Sequence, residues 1–200
     1  MDAFADPSTA DSGTADSRTV DSRTVDSRSE KRRAVIGTAV FALAPLSAAG
    51  LVPWLLTRWT LRQPVPGGAP AQLAGAVLVG AGAAALANSF VHFAIEGVGT
   101  PAPMAPPKHL VVGGLYRFVR NPMYVAIASA VTGQGLLLGQ PKLFLAVALG
   151  AIPVTAFVRF YEEPTLARTF GAEYQAYRSN VPRWLPRLTP WSPGGDSSAH

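Results

Sequence analysis

The stretch Gly114-Leu115-Tyr116-Arg117-Phe118-Val119-Arg120-Asn121-Pro122-Met123-Tyr124 sets two arginines and two tyrosines at the mouth of an uncharged run that continues to residue 140. Its Asn-Pro pair predicts a helix start, because Asn suits the N-cap and Pro the first helical position. The run over 122–140 then has the length and apolar character of a membrane-crossing helix, which needs about 20 residues. Further on, Arg159-Phe160-Tyr161-Glu162-Glu163 closes another uncharged run, 143–158. Ionisable groups gathered at two helix ends mark a place where something polar binds.

Composition points the same way. The 200 residues are 48% hydrophobic and 14% charged, against about a quarter charged in soluble domains. Seven of the twelve acidic residues fall in the first thirty positions. Over 31–200, fourteen basic residues face five acidic ones, a balance of +9. A basic balance suits nucleic acid or an anionic membrane surface, and the long apolar runs favour the bilayer as partner over nucleic acid. With no cysteine, disulfides and thiolate metal sites are excluded. His92, His109 and His200 are too scattered for a metal centre.

Residues 1–30 form a polar tail with a five-residue repeat, Asp16-Ser17-Arg18-Thr19-Val20 and its two successors. Such a segment buries too little apolar surface to order itself. Four uncharged segments follow, at 34–57, 71–95, 122–140 and 143–158. Pro45 and Pro53 kink or shorten the first. In the second, Ala76, Gly80 and Ala84 recur every four positions and predict a close helix contact. With four spans, fourteen of the Lys and Arg residues lie on the side of the termini and three (Arg58, Arg62, Lys142) on the other. That bias predicts both termini in the cytoplasm.

Residues 164–179 read as a helix, with Leu166, Phe170, Tyr174 and Tyr177 on one face. The expected architecture is therefore all-α: an integral membrane protein with four transmembrane helices and a cytoplasmic C-terminal amphipathic helix. It divides into a disordered tail (1–30), a membrane domain (31–190) and a disordered end (191–200). Gly97-Val98-Gly99-Thr100-Pro101-Ala102 matches a dinucleotide fingerprint by letters only, since no strand precedes it and Pro101 interrupts the turn.

The helix start at Asn121-Pro122 turns its positive dipole end to the cytoplasmic side and favours an anionic group. Tyr116, Arg120 and Tyr124 flank it. Arg159 stands four residues before Glu163 and three before Glu162, spacings that pair side chains on a helix. Two readings follow: a surface salt bridge, or one carboxylate paired with Arg159 and the other left for a cationic ligand; a ligand carrying both a carboxylate and an ammonium suits the two clusters together. Arg159 and Glu163 are the candidate catalytic residues.

At these residues the chain resembles the isoprenylcysteine carboxyl methyltransferase family and its bacterial relatives. The resemblance covers 97–187 and rests on Leu110-Val111, Gly114-Leu115-Tyr116, Arg120-Asn121-Pro122-Met123-Tyr124, Glu162-Glu163, Phe170-Gly171-Ala172-Glu173-Tyr174 and Val181-Pro182-Arg183. It implies an enzyme of the bacterial inner membrane that uses S-adenosylmethionine without a Rossmann domain. By position, the family's cofactor contacts fall on Lys108, His109, Leu110, Val111, Tyr116, Asn121, Pro122, Met123, Tyr124 and Glu162.

The chain departs from the family at Asn121, where histidine is frequent; asparagine hydrogen-bonds but does not titrate. It also departs at Arg159, one residue displaced from a substrate-side arginine. The implied reaction is methyl transfer to a carboxylate or thiol of a lipophilic or small acceptor, with no metal. Two alternatives compete: an NADPH-dependent membrane reductase of the sterol reductase type, and a non-enzymatic membrane scaffold.

Overall fold

Local chemistry sets the helix boundaries. The computed structural model describes residues 43–63, 65–96 and 109–193, with the backbone alone over 93–96. Among the described residues there are helices and no strands. Helix α1 is Leu43–Thr57 and α2 is Gly68–Glu96. A short 3-10 turn, Gly114–Arg117, precedes α3, Pro122–Leu138. Then come α4, Pro141–Phe157, a π-turn, Val158–Glu162, and α5, Glu163–Asn180. Prolines open α3, α4 and α5 at the first turn, where a missing N–H costs nothing. Gly139 ends α3 in the left-handed region at φ 65°, a conformation glycine adopts without Cβ strain. The repeat tail, the dinucleotide look-alike and the start of the first apolar run lie outside the described residues.

Among the described residues, two helices are long and apolar enough to cross a membrane: Gly68–His92 within α2, and the continuous Pro141–Asn180. Only 17% and 11% of their apolar windows are buried, unlike the core helices of a soluble domain. Helices α1 and α3 are shorter apolar segments. Large side chains such as Leu73, Val77, Leu145 and Ile152 face outward.

Among the described residues, helices α2 and α3 share the closest seam, and small residues make it. An added Cβ at Gly82 would stand 2.7 Å from the Ala126 carbonyl, and one at Gly133 would stand 2.6 Å from the Gly75 carbonyl. The stripe expected from the sequence, Ala76, Gly80 and Ala84, is exposed instead, and Gly80 has nothing within 4 Å. The contact runs at a seven-residue spacing through Gly75 and Gly82, one helical face away.

Helix α1 attaches to α3 through a backbone defect. Pro53 has no N–H to offer the carbonyl four residues back, that of Ala49, and the preceding Ser47–Leu51 winds as a π-turn. Gln134 on α3 donates to the Ala49 carbonyl at 2.7 Å and accepts from the Trp59 indole N–H at 3.2 Å. In an apolar surrounding an orphaned carbonyl is costly, so this glutamine locks the two helices in register.

At the other end, Leu110, Tyr174, Tyr177, Val181 and Trp191 form a hydrophobic cluster, with Leu166 and Phe170 packed on it. Trp191 is buried and Arg117 hydrogen-bonds both its carbonyl and the Ser192 hydroxyl. These bonds tie Trp191 and Ser192 to the segment before α3.

Candidate functional site

The residues before α3 fold over the ends of α4 and α5. Gly114 adopts φ 52°, and a Cβ there would collide with His92 and Asn88 of α2. Asn88 also accepts the Leu115 N–H at 3.3 Å. These contacts fix the 3-10 turn against the end of α2. The C-terminal segment then runs antiparallel to 117–121. Arg120 N–H donates to the Pro182 carbonyl at 2.9 Å, Arg187 N–H to Phe118 at 2.9 Å and Trp191 N–H to Arg117 at 3.0 Å.

Asn121 holds the N-cap position, yet its side chain caps nothing. It is buried and its amide donates to the Arg183 carbonyl at 3.1 Å. The expected side-chain cap is therefore replaced by a tie to the C-terminal segment. The first hydrogen bond of α3 runs from Val125 N–H to the Asn121 carbonyl. Met123 and Tyr124 consequently present backbone N–H groups with no carbonyl of their own helix to reach.

Glu162 and Glu163 have separate roles. Glu163 is 6% exposed. It accepts a bidentate pair from Arg183, Nε and Nη2 each at 2.7 Å, and a third contact from Arg120 Nη1 at 2.9 Å. Arg120 Nη1 also lies 3.4 Å from the Tyr174 hydroxyl. Arg120 Nε is the buried side-chain nitrogen left without a partner among the described residues. Glu163 holds the Arg183 guanidinium charged, raising its pKa.

The i, i+4 pair expected between Arg159 and Glu163 does not form, and Arg159 is exposed. The π-turn over Val158–Glu162 is the reason. It adds a residue to the turn and closes with Glu163 N–H on the Val158 carbonyl, so positions four apart no longer share a face.

Glu162 accepts from the Tyr124 hydroxyl at 3.3 Å, which joins the start of α3 to the end of α4. The bond is long for O–H···O, so it can yield to a ligand group. Beyond the apolar stretch that ends at Val158, burial raises the Glu162 carboxyl above its ordinary value; the Tyr124 hydrogen bond opposes this and the Glu163 charge adds to it. Trp184 stands edge-on to Tyr124, ring centroids 6.4 Å apart.

The sequence-predicted residues are thus distributed unevenly. Asn121, Pro122, Met123, Tyr124 and Glu162 gather around the two helix ends. Leu110, Val111 and Tyr116 are buried, and the Tyr116 carbonyl accepts the Tyr177 hydroxyl at 2.8 Å. His109 is exposed. Lys108 lies outside the described residues. Sequence reasoning left Arg183, Trp184 and Tyr174 out of the site. A signal for Arg183 existed, since a carboxylate closing an apolar run demands a cation; Arg159, nearer in sequence, took its place.

The phospholipid methyltransferase family model matches residues 71–173, which takes in α2, α3, α4 and the first half of α5. Phosphatidylethanolamine N-methyltransferase of Phaeosphaeria nodorum is 33% identical over 85 residues, 42% of this chain and 9% of that protein. Protein-S-isoprenylcysteine O-methyltransferase of Schizosaccharomyces pombe is 33% identical over 82 residues, 40% of this chain and 34% of that protein. The chain thus spans about a tenth and about a third of the lengths of these two relatives. No solved structure matches the chain significantly. The matched region contains both helix ends that meet at Tyr124 and Glu162, and the chain belongs to the phospholipid methyltransferase family.

Proposed function

We propose that this protein is an integral membrane methyltransferase that uses S-adenosylmethionine, with four spans and a site open to the cytoplasm. The observation that carries the reading is the meeting of Tyr124 and Glu162 across two helix ends. The residues there fit such a donor. Glu162 offers a carboxylate to a cationic amino or sulfonium group. The unpaired N–H groups of Met123 and Tyr124 suit a carboxylate at a helix start. Arg120 Nε remains unpaired and buried, and Trp184 with Tyr124 supplies an aromatic wall that favours a cation.

When bound, S-adenosylmethionine supplies an already activated methyl group. The chain's own residues then have to bind, orient and exclude water, which is how positioning lowers a barrier. Glu163 serves as the strut that fixes Arg120 and Arg183, both of its oxygens being occupied. Arg159 faces the acceptor side. The acceptor enters from the lipid and presents a carboxylate or a thiol already ionised to its thiolate, neither of which requires a general base. This fits a site whose helix start carries a non-titrating Asn121.

Calorimetric titration of the purified protein with S-adenosylmethionine tests the reading. Glu162→Gln is expected to lose about 1.5–3 kcal/mol of binding, roughly ten- to a hundredfold. The sign with pH is fixed by the carboxyl: affinity is full above its raised pKa and declines as pH falls through it, above the ordinary value of 4.5. Glu162→Gln removes that component. Unchanged affinity in the variant excludes Glu162 from the site.

A further inference from the structure

A cavity of about 340 Å3 opens between the start of α5 and the C-terminal segment, lined by Arg159, Glu163, Pro164, Ala167, Arg178 and Arg183. Its size falls within the range of small-ligand clefts, about 300–1,000 Å3. Neither Tyr124 nor Glu162 lines it. We propose that this cavity is a binding site for a phosphoryl group, a phosphate monoester or diester, held by Arg159, Arg178 and Arg183.

Three guanidiniums face one carboxylate there, and both oxygens of that carboxylate are already taken by Arg183 and Arg120. The side chains of Arg159 and Arg178 make no hydrogen bond or ion pair among the described residues, and Arg183 keeps Nη1 after giving Nε and Nη2 to Glu163. The acidic Glu173 of the same helix is exposed and does not line the cavity. Converging cations repel one another unless an anion sits between them. The planar guanidinium fork matches phosphate oxygens, and three forks suit a group with several of them better than a two-oxygen carboxylate.

Position defines the sources. Arg159 follows directly on Val158, where the apolar stretch of α4 ends, and Phe157, Phe160 and Tyr161 around it are exposed. On the membrane reading proposed above, the cavity lies at headgroup depth, within reach of an anionic lipid and of phosphate in water. The proposal rests on that reading for the lipid source.

The test uses the full chain in a neutral detergent and in phosphatidylcholine nanodiscs. The probes are inorganic phosphate by calorimetry, and phosphatidic acid and phosphatidylglycerol by native mass spectrometry. Saturable binding of a single equivalent is expected. Arg159→Gln and Arg178→Gln should each weaken it about tenfold. Arg168→Gln, an exposed arginine of the same helix outside the cavity, should change it by less than about twofold.

Displacement of the lipid by inorganic phosphate assigns the site to free phosphate; retention of lipid alone assigns it to a headgroup. Equal weakening by Arg168→Gln, or no saturable binding of any probe, overturns the proposal. S-adenosylmethionine affinity, measured on the same samples, is expected to be unaffected by Arg178→Gln. Loss of donor binding with phosphate binding intact would count against the methyltransferase reading alone.

Discussion

Glu163 shows what a single side chain can hold in place. A carboxylate 6% exposed, between two guanidiniums and beside a buried tyrosine hydroxyl, ties α5 to the turn before α3 and to the C-terminal segment. Removing its charge leaves two cations together with nothing between them. Glu163→Gln is expected to cost about 3–5 kcal/mol, the usual penalty for breaking one partner out of a buried pair. Adding Arg183→Met should recover part of that loss. Thermal unfolding in detergent followed by circular dichroism checks both. If Glu163→Gln unfolds like the parent, the cluster is a surface pairing and the strut role fails. The choice of partner was not legible in the sequence, because helical spacing pairs Glu163 with Arg159 and only the π-turn separates them.

Helices behave more regularly than their polar ends. Apolar runs bounded by Asn-Pro, Gln-Pro and Gly placed α2, α3 and α4 to within a few residues, since capping and hydropathy are local properties. Which face of α2 meets α3 is a tertiary fact. Two small-residue stripes exist on that helix, and the one at a four-residue spacing faces outward. The face that packs is set by Gly133, Ala130 and Ala126 on α3, which the sequence of α2 does not contain. Gly82→Val should therefore destabilise by about 1–3 kcal/mol through overpacking. Gly80→Leu, with open space around it, should stay within about 0.5 kcal/mol. Thermal midpoints in the same detergent separate the two; equal shifts would return the seam to the Gly80 face. The Gln134 clamp was equally hidden, because its acceptor is a carbonyl that becomes available only when Pro53 sits inside a helix.

For the molecule as a whole, the proposed four-span topology is directly testable because the sequence has no cysteine. Lys142→Cys, in the first turn of α4, and Arg168→Cys, on the exposed side of α5, should react with a membrane-impermeant maleimide from opposite faces of sealed inverted vesicles. Arg168→Cys is expected to label from outside such vesicles and Lys142→Cys only after permeabilisation. Labelling of both from one face would remove the topology. The basic residues that predict this orientation are legible from counting alone. The convergence of 109–121 with 181–192 is not, because it depends on backbone hydrogen bonds between segments without periodicity.

That convergence carries a consequence for how the protein comes into being. Residues 182–192 are synthesised after the described helices, yet they supply the carbonyls that receive Arg120 N–H and the Asn121 amide, and the side chains of Arg183 and Trp184. A nascent chain can lodge all its helices and still lack one wall of the pocket. On the function proposed above, a chain cut by protease near residue 181 would keep its helices and lose that wall, and is expected to lose donor binding with them in place.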